Sequence, residues 1–214
     1  MKKPLVFLID LDNTLLDNDK VKSEIKKSLI HVLGPLEAKH FWDHHDDIRT
    51  KTNLVDFPKA IREYCAEKDA ETCDIRLGKI FDAIDFQKAL YPDVYKVLEH
   101  LKSKGYVALF TEGDLVYQKK KIEKSGVGAL VDRVFHFKHK LKHFEEIKKE
   151  FSHSHLIVVD DRSETLMKLK SKHPDITIVE VCQGHYSDVD HKDHPTLDKT
   201  IESISDLLHI PITN

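Results

Sequence analysis

Apolar residues along this chain follow two rhythms. One is the short unbroken run, the mark of a strand buried on both faces. Leu5 to Ile9, Tyr106 to Phe110, Val131 to Phe137, Leu156 to Val159 and Ile176 to Val181 read this way, giving five strands. The other is a stripe at spacings of three and four, which predicts amphipathic helices. Val21, Ile25, Leu29, Val32 and Leu33 form such a stripe, closed by Gly34-Pro35. Leu36 to Thr50 continues as a polar helix carrying Phe41 and Trp42, Pro58 opens a third, and Ile75 to Phe86 supplies a fourth. Beyond Leu90-Tyr91-Pro92 helices and strands alternate. Val94 to Leu101 is helical up to Gly105, a Lys-rich helix runs to Ser125-Gly126, and Leu141 to Phe151 is the next. A helix through Leu166, Met167 and Leu169 stops near His173-Pro174, and Ile201, Ile204, Leu207 and Leu208 predict a terminal helix.

Strands alternating with single helices specify an α/β fold with a doubly wound parallel sheet. The interval from Asp17 to Ala89 holds no strand pattern and reads as an all-helical insertion. The chain therefore divides into a core, residues 1–16 and 90–214, and a helical cap, residues 17–89. Because the insertion leaves just after the first strand, it is expected above the carboxyl edge of the sheet, where a lid would sit.

Composition changes this picture little. At 40% apolar and 33% charged residues, with a net charge of −3, the 214-residue chain is an ordinary globular protein. Its charges are mixed, so neither a nucleic-acid nor a membrane partner is expected. The apolar run after Met1-Lys-Lys stops at Asp10, too short for a secretory signal, and no stretch approaches membrane-span length. Cys65, Cys73 and Cys182 are sparse and outside any CxxC spacing, which fits a reduced, cytoplasmic chain.

The chemistry gathers where the strands end. Asp10 is the first charge after the opening run, and Asp12, two residues on, can return to the same side. The second strand ends in Thr111, the third is followed by Lys138 and Lys140, and the fourth ends in Asp160-Asp161. Parallel strands bring all these ends to one edge, the ligand edge of open α/β sheets. Several carboxylates there form a hard oxygen site suited to Mg²⁺. A hydroxyl and a lysine beside them suit the equatorial oxygens of a phosphoryl group.

Those residues carry a resemblance. Phe7-Leu-Ile-Asp10-Leu-Asp12-Asn-Thr14 resembles the first motif of the haloacid dehalogenase superfamily, and Tyr106 to Thr111 resembles its second. Lys140 is similar to the lysine of the third motif, with Lys138 the alternative, and Val158-Val-Asp160-Asp161 to the acidic fourth. Tyr91-Pro92-Asp93 resembles the family's return from a C1-type cap to a Rossmann-like core. The resemblance implies Asp10 as a nucleophile that forms an aspartyl phosphate, and Asp12 as acid and then base. It also implies a Mg²⁺ site at Asp160 and Asp161, with Asp10 ligating through its side chain and Asp12 through its backbone carbonyl. Thr111, Glu112 and Lys140 would bind phosphate. Members with an aspartate at the position of Asp12 are mostly phosphotransferases, so the implied activity is hydrolysis of a small phosphorylated molecule, with no implication for oligomeric state. A phosphomutase is the nearest rival. A receiver domain is a more distant one, since its phosphoacceptor ends the third strand, here His136-Phe137-Lys138, and a catalytically silent binding module that keeps the fold is another, against which the intact Asp10 and Asp12 argue. Glu112-Gly113-Asp114 departs from the commoner Asn-Gly and sets an extra carboxylate near the phosphate.

Other features carry less. His40, His44 and His45 lie on a polar helix face without a third metal ligand at defined spacing, and read as solvated. Lys119-Lys120-Lys121 reads as the exposed side of its helix. Phe41, Trp42 and Phe57 read as cap core. Gln183-Gly-His185-Tyr186 and the acidic run from Ser187 to Asp198 read as polar loops at the carboxyl edge.

Overall fold

The computed structural model describes residues 4–52, 54–66, 68–184 and 197–211. Six parallel strands form one sheet in the order β3-β2-β1-β4-β5-β6. They are β1 (Leu5–Ile9), β2 (Gly105–Glu112), β3 (Arg133–Phe137), β4 (His155–Asp160), β5 (Thr177–Val181) and β6 (Lys199–Ile201). β1 is central, paired with β2 on one side and β4 on the other, Ile9 standing opposite both Leu109 and Val159. The order reverses at β1, so the carboxyl end of β1 is the topological switch point where such sheets bind ligands.

Strand side chains alternate between two cores. Phe7, Ile9, Val107, Leu109, Ile157 and Val159 enter one, with helix α5 (Val94–Lys102), part of α6 (Leu115–Ser125) and the helical insertion. Val6, Leu8, Ala108, Phe110, Leu156 and Val158 enter the other, with α7 (Phe144–Glu150) and α8 (Ser163–Lys172). Burial on both faces explains why these strands read as continuous apolar runs.

The insertion comprises α1 (Asn18–Leu33), α2 (Pro35–Thr52), α3 (Phe57–Cys65) and α4 (Ala70–Asp82). Asp17 caps α1 by accepting from the Lys20 amide at 2.8 Å, and Asp56 caps α3 by accepting from Lys59 at 2.8 Å. The two connecting segments are tied to one another: the Asp17 amide donates to Ala89 at 2.8 Å and the Tyr91 amide to Leu15 at 3.0 Å. Tyr117 of α6 fastens the insertion from below, its ring 5.0 Å from that of Phe57 and 6.0 Å from that of Phe81. Phe41 and Phe57 are buried as cap core, and Trp42 packs beside them with the Lys26 ammonium 4.4 Å from its ring.

Four expectations need correction. Ile201 does not open a terminal helix; it ends β6 beside Val181, and a 3-10 turn from Ile204 to Leu208 begins at the Ser203 capping box. α4 begins at Ala70 and ends at Asp82, leaving Ile84 and Phe86 to bury their side chains from the following turn. His45 is not solvated but buried, stacked at 4.3 Å on Phe57. Cys65 and Cys73 are joined as a disulfide with Cα atoms 5.6 Å apart, because the α3–α4 turn brings them together. That bond corrects the expectation that all three cysteines are reduced. Among the described residues no helix is long and apolar enough to cross a membrane.

Candidate active site

The turn after β1 is built to present carboxylates. The Asp10 amide donates to the Val159 carbonyl at 2.9 Å, so the strand ladder holds the backbone up to that residue. The chain then turns sharply at Asn13, which has φ of 57°, a left-handed conformation that asparagine tolerates. The Asn13 carboxamide accepts from the Asn18 amide at 3.0 Å and so fixes the start of α1. From the far side Gln183 donates to the Thr14 carbonyl at 2.7 Å. Gly184 follows it at φ 72°, where a Cβ would lie 2.6 Å from Asn13 Cγ, so only glycine lets the two turns touch. His185 lies outside the described residues, as does most of the acidic run after it.

Asp10, Asp160 and Asp161 converge, each offering an oxygen within 4.8 Å of the others. All are buried. Lys140 stands among them, its Nζ 2.6 Å from Asp10 Oδ1, 2.6 Å from Asp160 Oδ2 and 3.2 Å from the Phe110 carbonyl. Lys138 is exposed, so Lys140 rather than Lys138 is the lysine at this edge. It reaches inward because residues 140–143 form a 3-10 turn, not the first turn of α7.

Burial, then the neighbouring Asp160 and Asp12 charges, push the Asp10 carboxyl up to about 7, against the opposing pull of Lys140. Asp161 is pushed up to about 9, by burial first and then by Asp160 and Asp10. Burial alone would lower Lys140, but Asp10 and Asp160 outweigh it and hold the ammonium above the ordinary lysine range. Three buried carboxylates against one ammonium leave a formal charge near −2 when ionised, costly in a low-dielectric site. Convergent carboxylate oxygens with excess negative charge are the donor set a hard divalent cation takes, so the residues present fit a Mg²⁺-type ion.

Asp12 faces elsewhere. Its carboxylate lies outside the cluster and is gripped by α6. Lys121 Nζ lies 2.6 Å from both of its oxygens and 3.3 Å from Asn18 Oδ1. Gln118 Nε2 donates to Asp12 at 3.2 Å and to the Thr111 hydroxyl at 2.9 Å. Since Thr111 accepts there, its own O–H remains available as a donor. The reading of Lys119-Lys120-Lys121 as an exposed face is thus corrected: Lys121 is 2% exposed and belongs to the site. Gln118, equally buried, was missed as well. Gly113 makes room for it, since a Cβ there would meet Gln118 Oε1 at 2.9 Å.

Glu112 is also engaged. Its carboxylate accepts from the Lys140 amide at 3.0 Å and lies 3.8 Å from Arg162 Nη1. The extra acid therefore buttresses the turn that carries Lys140. Over the whole group lies a cavity of about 210 Å³ between the sheet edge and the helical insertion, lined by Asp10, Asp12, Lys121, Lys140 and Asp161 from below.

Comparison with known proteins gives a consistent result. The sequence profile of the haloacid dehalogenase-like hydrolases matches residues 5–167. A haloacid dehalogenase-like hydrolase from Burkholderia xenovorans LB400 is 30% identical, with a TM-score of 0.87 over 97% of this chain and 96% of that one. The HAD-hydrolase YfnB from Bacillus subtilis, solved bound to magnesium, shares 13% identity and a TM-score of 0.62 over 97% of this chain and 98% of its own. The L-2-haloacid dehalogenase of Xanthobacter autotrophicus shares 16% identity and a TM-score of 0.58 over 97% of each chain. At such identities the last two share the fold alone. No protein of curated function matches the sequence.

Proposed function

From the premise that the chain belongs to the haloacid dehalogenase-like hydrolase family, we propose that it is a Mg²⁺-dependent phosphatase of a small phosphomonoester. The observation that carries this reading is the pair of differently held carboxylates at one cavity. Asp10 sits beside Lys140, while Asp12 is held apart by Lys121 and Gln118. Two acids with different surroundings suit two roles.

Asp10 attacks phosphorus through a carboxylate oxygen and takes up the phosphoryl group, and the leaving oxygen receives its proton from Asp12. Water then attacks the aspartyl phosphate, losing its proton to Asp12, and phosphate leaves with Asp10 restored. Covalent capture divides one difficult hydrolysis into two easier displacements. Lys140 and the Thr111 hydroxyl neutralise and orient the phosphoryl oxygens. Asp10, Asp160 and Asp161 would hold Mg²⁺, which supplies further charge neutralisation at the phosphoryl group. The insertion over the cavity limits bulk water around the reacting atoms.

The test is phosphate release from a panel of small phosphoesters, with Mg²⁺ and with excess chelator. Activity above background is expected only with the metal. The same samples are incubated with a haloacid and read for halide. Halide without phosphate would replace this reading with dehalogenation, and release of neither would remove the hydrolase assignment for these substrates.

A further inference from the structure

The cavity has two unlike walls. Every carboxylate that lines it, Asp10, Asp12, Glu112 and Asp161, comes from the core. The cations on that side stand against those acids: Lys140 on Asp10 and Asp160, Lys121 on Asp12, Arg162 beside Glu112. The helical insertion contributes Lys22 and Arg49 as its charged groups, and no acid. Lys22 Nζ lies 3.3 Å from Asp19 Oδ1 on its own helix. Among the described residues Arg49 has no carboxylate within 4.0 Å. It stands in the last turn of α2, and Leu54 and Val55 lie next to it on the same wall.

A guanidinium facing an acidic cavity without a carboxylate partner is complementary to an anion brought in from outside. The transferred phosphoryl group does not fill that role, because Lys140 and the carboxylate cluster lie on the opposite wall. What reaches Arg49 is the other end of the substrate. Leu54 and Val55 beside it accommodate a short hydrocarbon stretch, and a cavity of about 210 Å³ admits little more.

We propose that Arg49, with Lys22 on the same wall, forms an anion subsite, so that the esterified alcohol carries a second anionic group, a carboxylate or a further phosphate. This rests on the phosphatase reading and narrows its substrate class to small phosphorylated acids. Arg49 offers two parallel N–H donors to two oxygens, a geometry that carboxylate and phosphate share. A solvated arginine that merely complements the C-terminal end of α2 is the plain alternative.

The experiment uses matched esters and the full chain. Phosphoglycolate and ethylene glycol bisphosphate are each compared with ethylene glycol monophosphate, whose distal group is a neutral hydroxyl. For the wild-type protein with Mg²⁺, kcat/KM for at least one charged ester should exceed that for the neutral one by about 10-fold or more, as a charge-assisted contact provides. Which of the two is preferred separates carboxylate from phosphate. In Arg49→Gln that ratio should fall below about threefold, with Arg49→Lys retaining part of it. Absence of a charge preference, or a preference undiminished in Arg49→Gln, overturns the subsite.

A second measurement separates this from failure of the phosphatase reading. Calorimetric titration of the same esters into Asp10→Asn protein, with and without Arg49→Gln, reports binding without turnover. A charge preference that disappears with Arg49→Gln upholds the subsite even if wild type releases no phosphate. Equal affinities for charged and neutral esters, or no binding of any, reject it.

Discussion

Replacing Asp10 with asparagine should abolish turnover while leaving the protein folded. The amide has the shape of the carboxylate and keeps an oxygen to accept from Lys140, whose Nζ lies 2.6 Å from Asp10 Oδ1. What it lacks is a lone pair basic enough to displace an alcohol from phosphorus. In the proposed reaction every step depends on Asp10, so its loss should cost about 10⁴-fold or more in kcat, and adding a second defect such as Asp12→Asn should then cost little further. Stability should move the other way. The carboxyl is pushed up to about 7 by burial and by the charges of Asp160 and Asp12, so an ionised Asp10 is disfavoured in the metal-free fold. A neutral amide removes that penalty, and Asp10→Asn in chelator at pH 8 should melt no lower than wild type. Two readouts check this together. Single-turnover phosphate release reports the chemistry, and hydroxylamine should trap a phosphorylated form of wild type and none of the variant. A variant that unfolds, or one that keeps substantial turnover, would remove Asp10 from the role of nucleophile.

How far the site could be read from the residues depended on whether each one obeyed the pattern of its own element. Asp10, Thr111 and Asp160 each interrupt or end an apolar run at the same edge, and β1, β2 and β4 are neighbours in the sheet. Position along the strand was therefore enough to bring them together. Lys121 and Gln118 were missed because three consecutive lysines look like a solvated helix face. The signal was nonetheless present. Tyr117, Gln118, Lys121, Ile122 and Ser125 are the buried positions of α6, and they follow the spacing of one helical stripe. Polar residues inside a stripe that also holds Tyr117 and Ile122 must find partners in the interior, and Asp12 is the partner. β6 gave no comparable signal. It is three residues long with one buried side chain, and its Ile201 falls at helical spacing from Ile204 and Leu208. The Cys65–Cys73 bond depends on the angle of the α3–α4 turn, which no residue spacing specifies. The helices of the insertion were legible from their stripes and caps. Which of their residues look down into the cavity was not, because Arg49 is an exposed position by pattern and differs from other exposed arginines only by what lies beneath it.

Removing Lys140 should harm both activity and fold, and the two losses should respond differently to pH. Lys140 Nζ touches Asp10 and Asp160 at 2.6 Å each, with less than a tenth of any of the three side chains exposed. Lys140→Ala leaves the buried carboxylates with no ammonium among them. Breaking a buried pair on one side costs about 3–5 kcal/mol when the remaining charge stays ionised. The carboxylates can escape that cost by taking up protons. Asp10 and Asp161 already sit at about 7 and about 9, raised by burial, and loss of Lys140 moves both further up. An acid whose folded pKa is raised binds more protons in the native state than in the unfolded one. Stability then declines as pH climbs from the unfolded carboxyl range, near 4, toward the folded value. Metal-free Lys140→Ala should accordingly be close to wild type in melting temperature at pH 5 and clearly below it at pH 8, the gap widening between. Saturating Mg²⁺ should narrow the gap at pH 8, since a divalent cation at the same oxygens replaces the missing positive charge. It should not restore catalysis. In the proposed reaction the lysine also faces the incoming phosphoryl oxygens, and its loss should lower kcat about 10³-fold. Lys138→Ala is the control: exposed and off the site, it should change neither property measurably. Melting curves across pH with chelator or Mg²⁺, beside steady-state kinetics, decide the matter. A pH-independent loss of stability in Lys140→Ala, or a larger rate loss in Lys138→Ala, would show that the buried ammonium is not what holds the carboxylate cluster together.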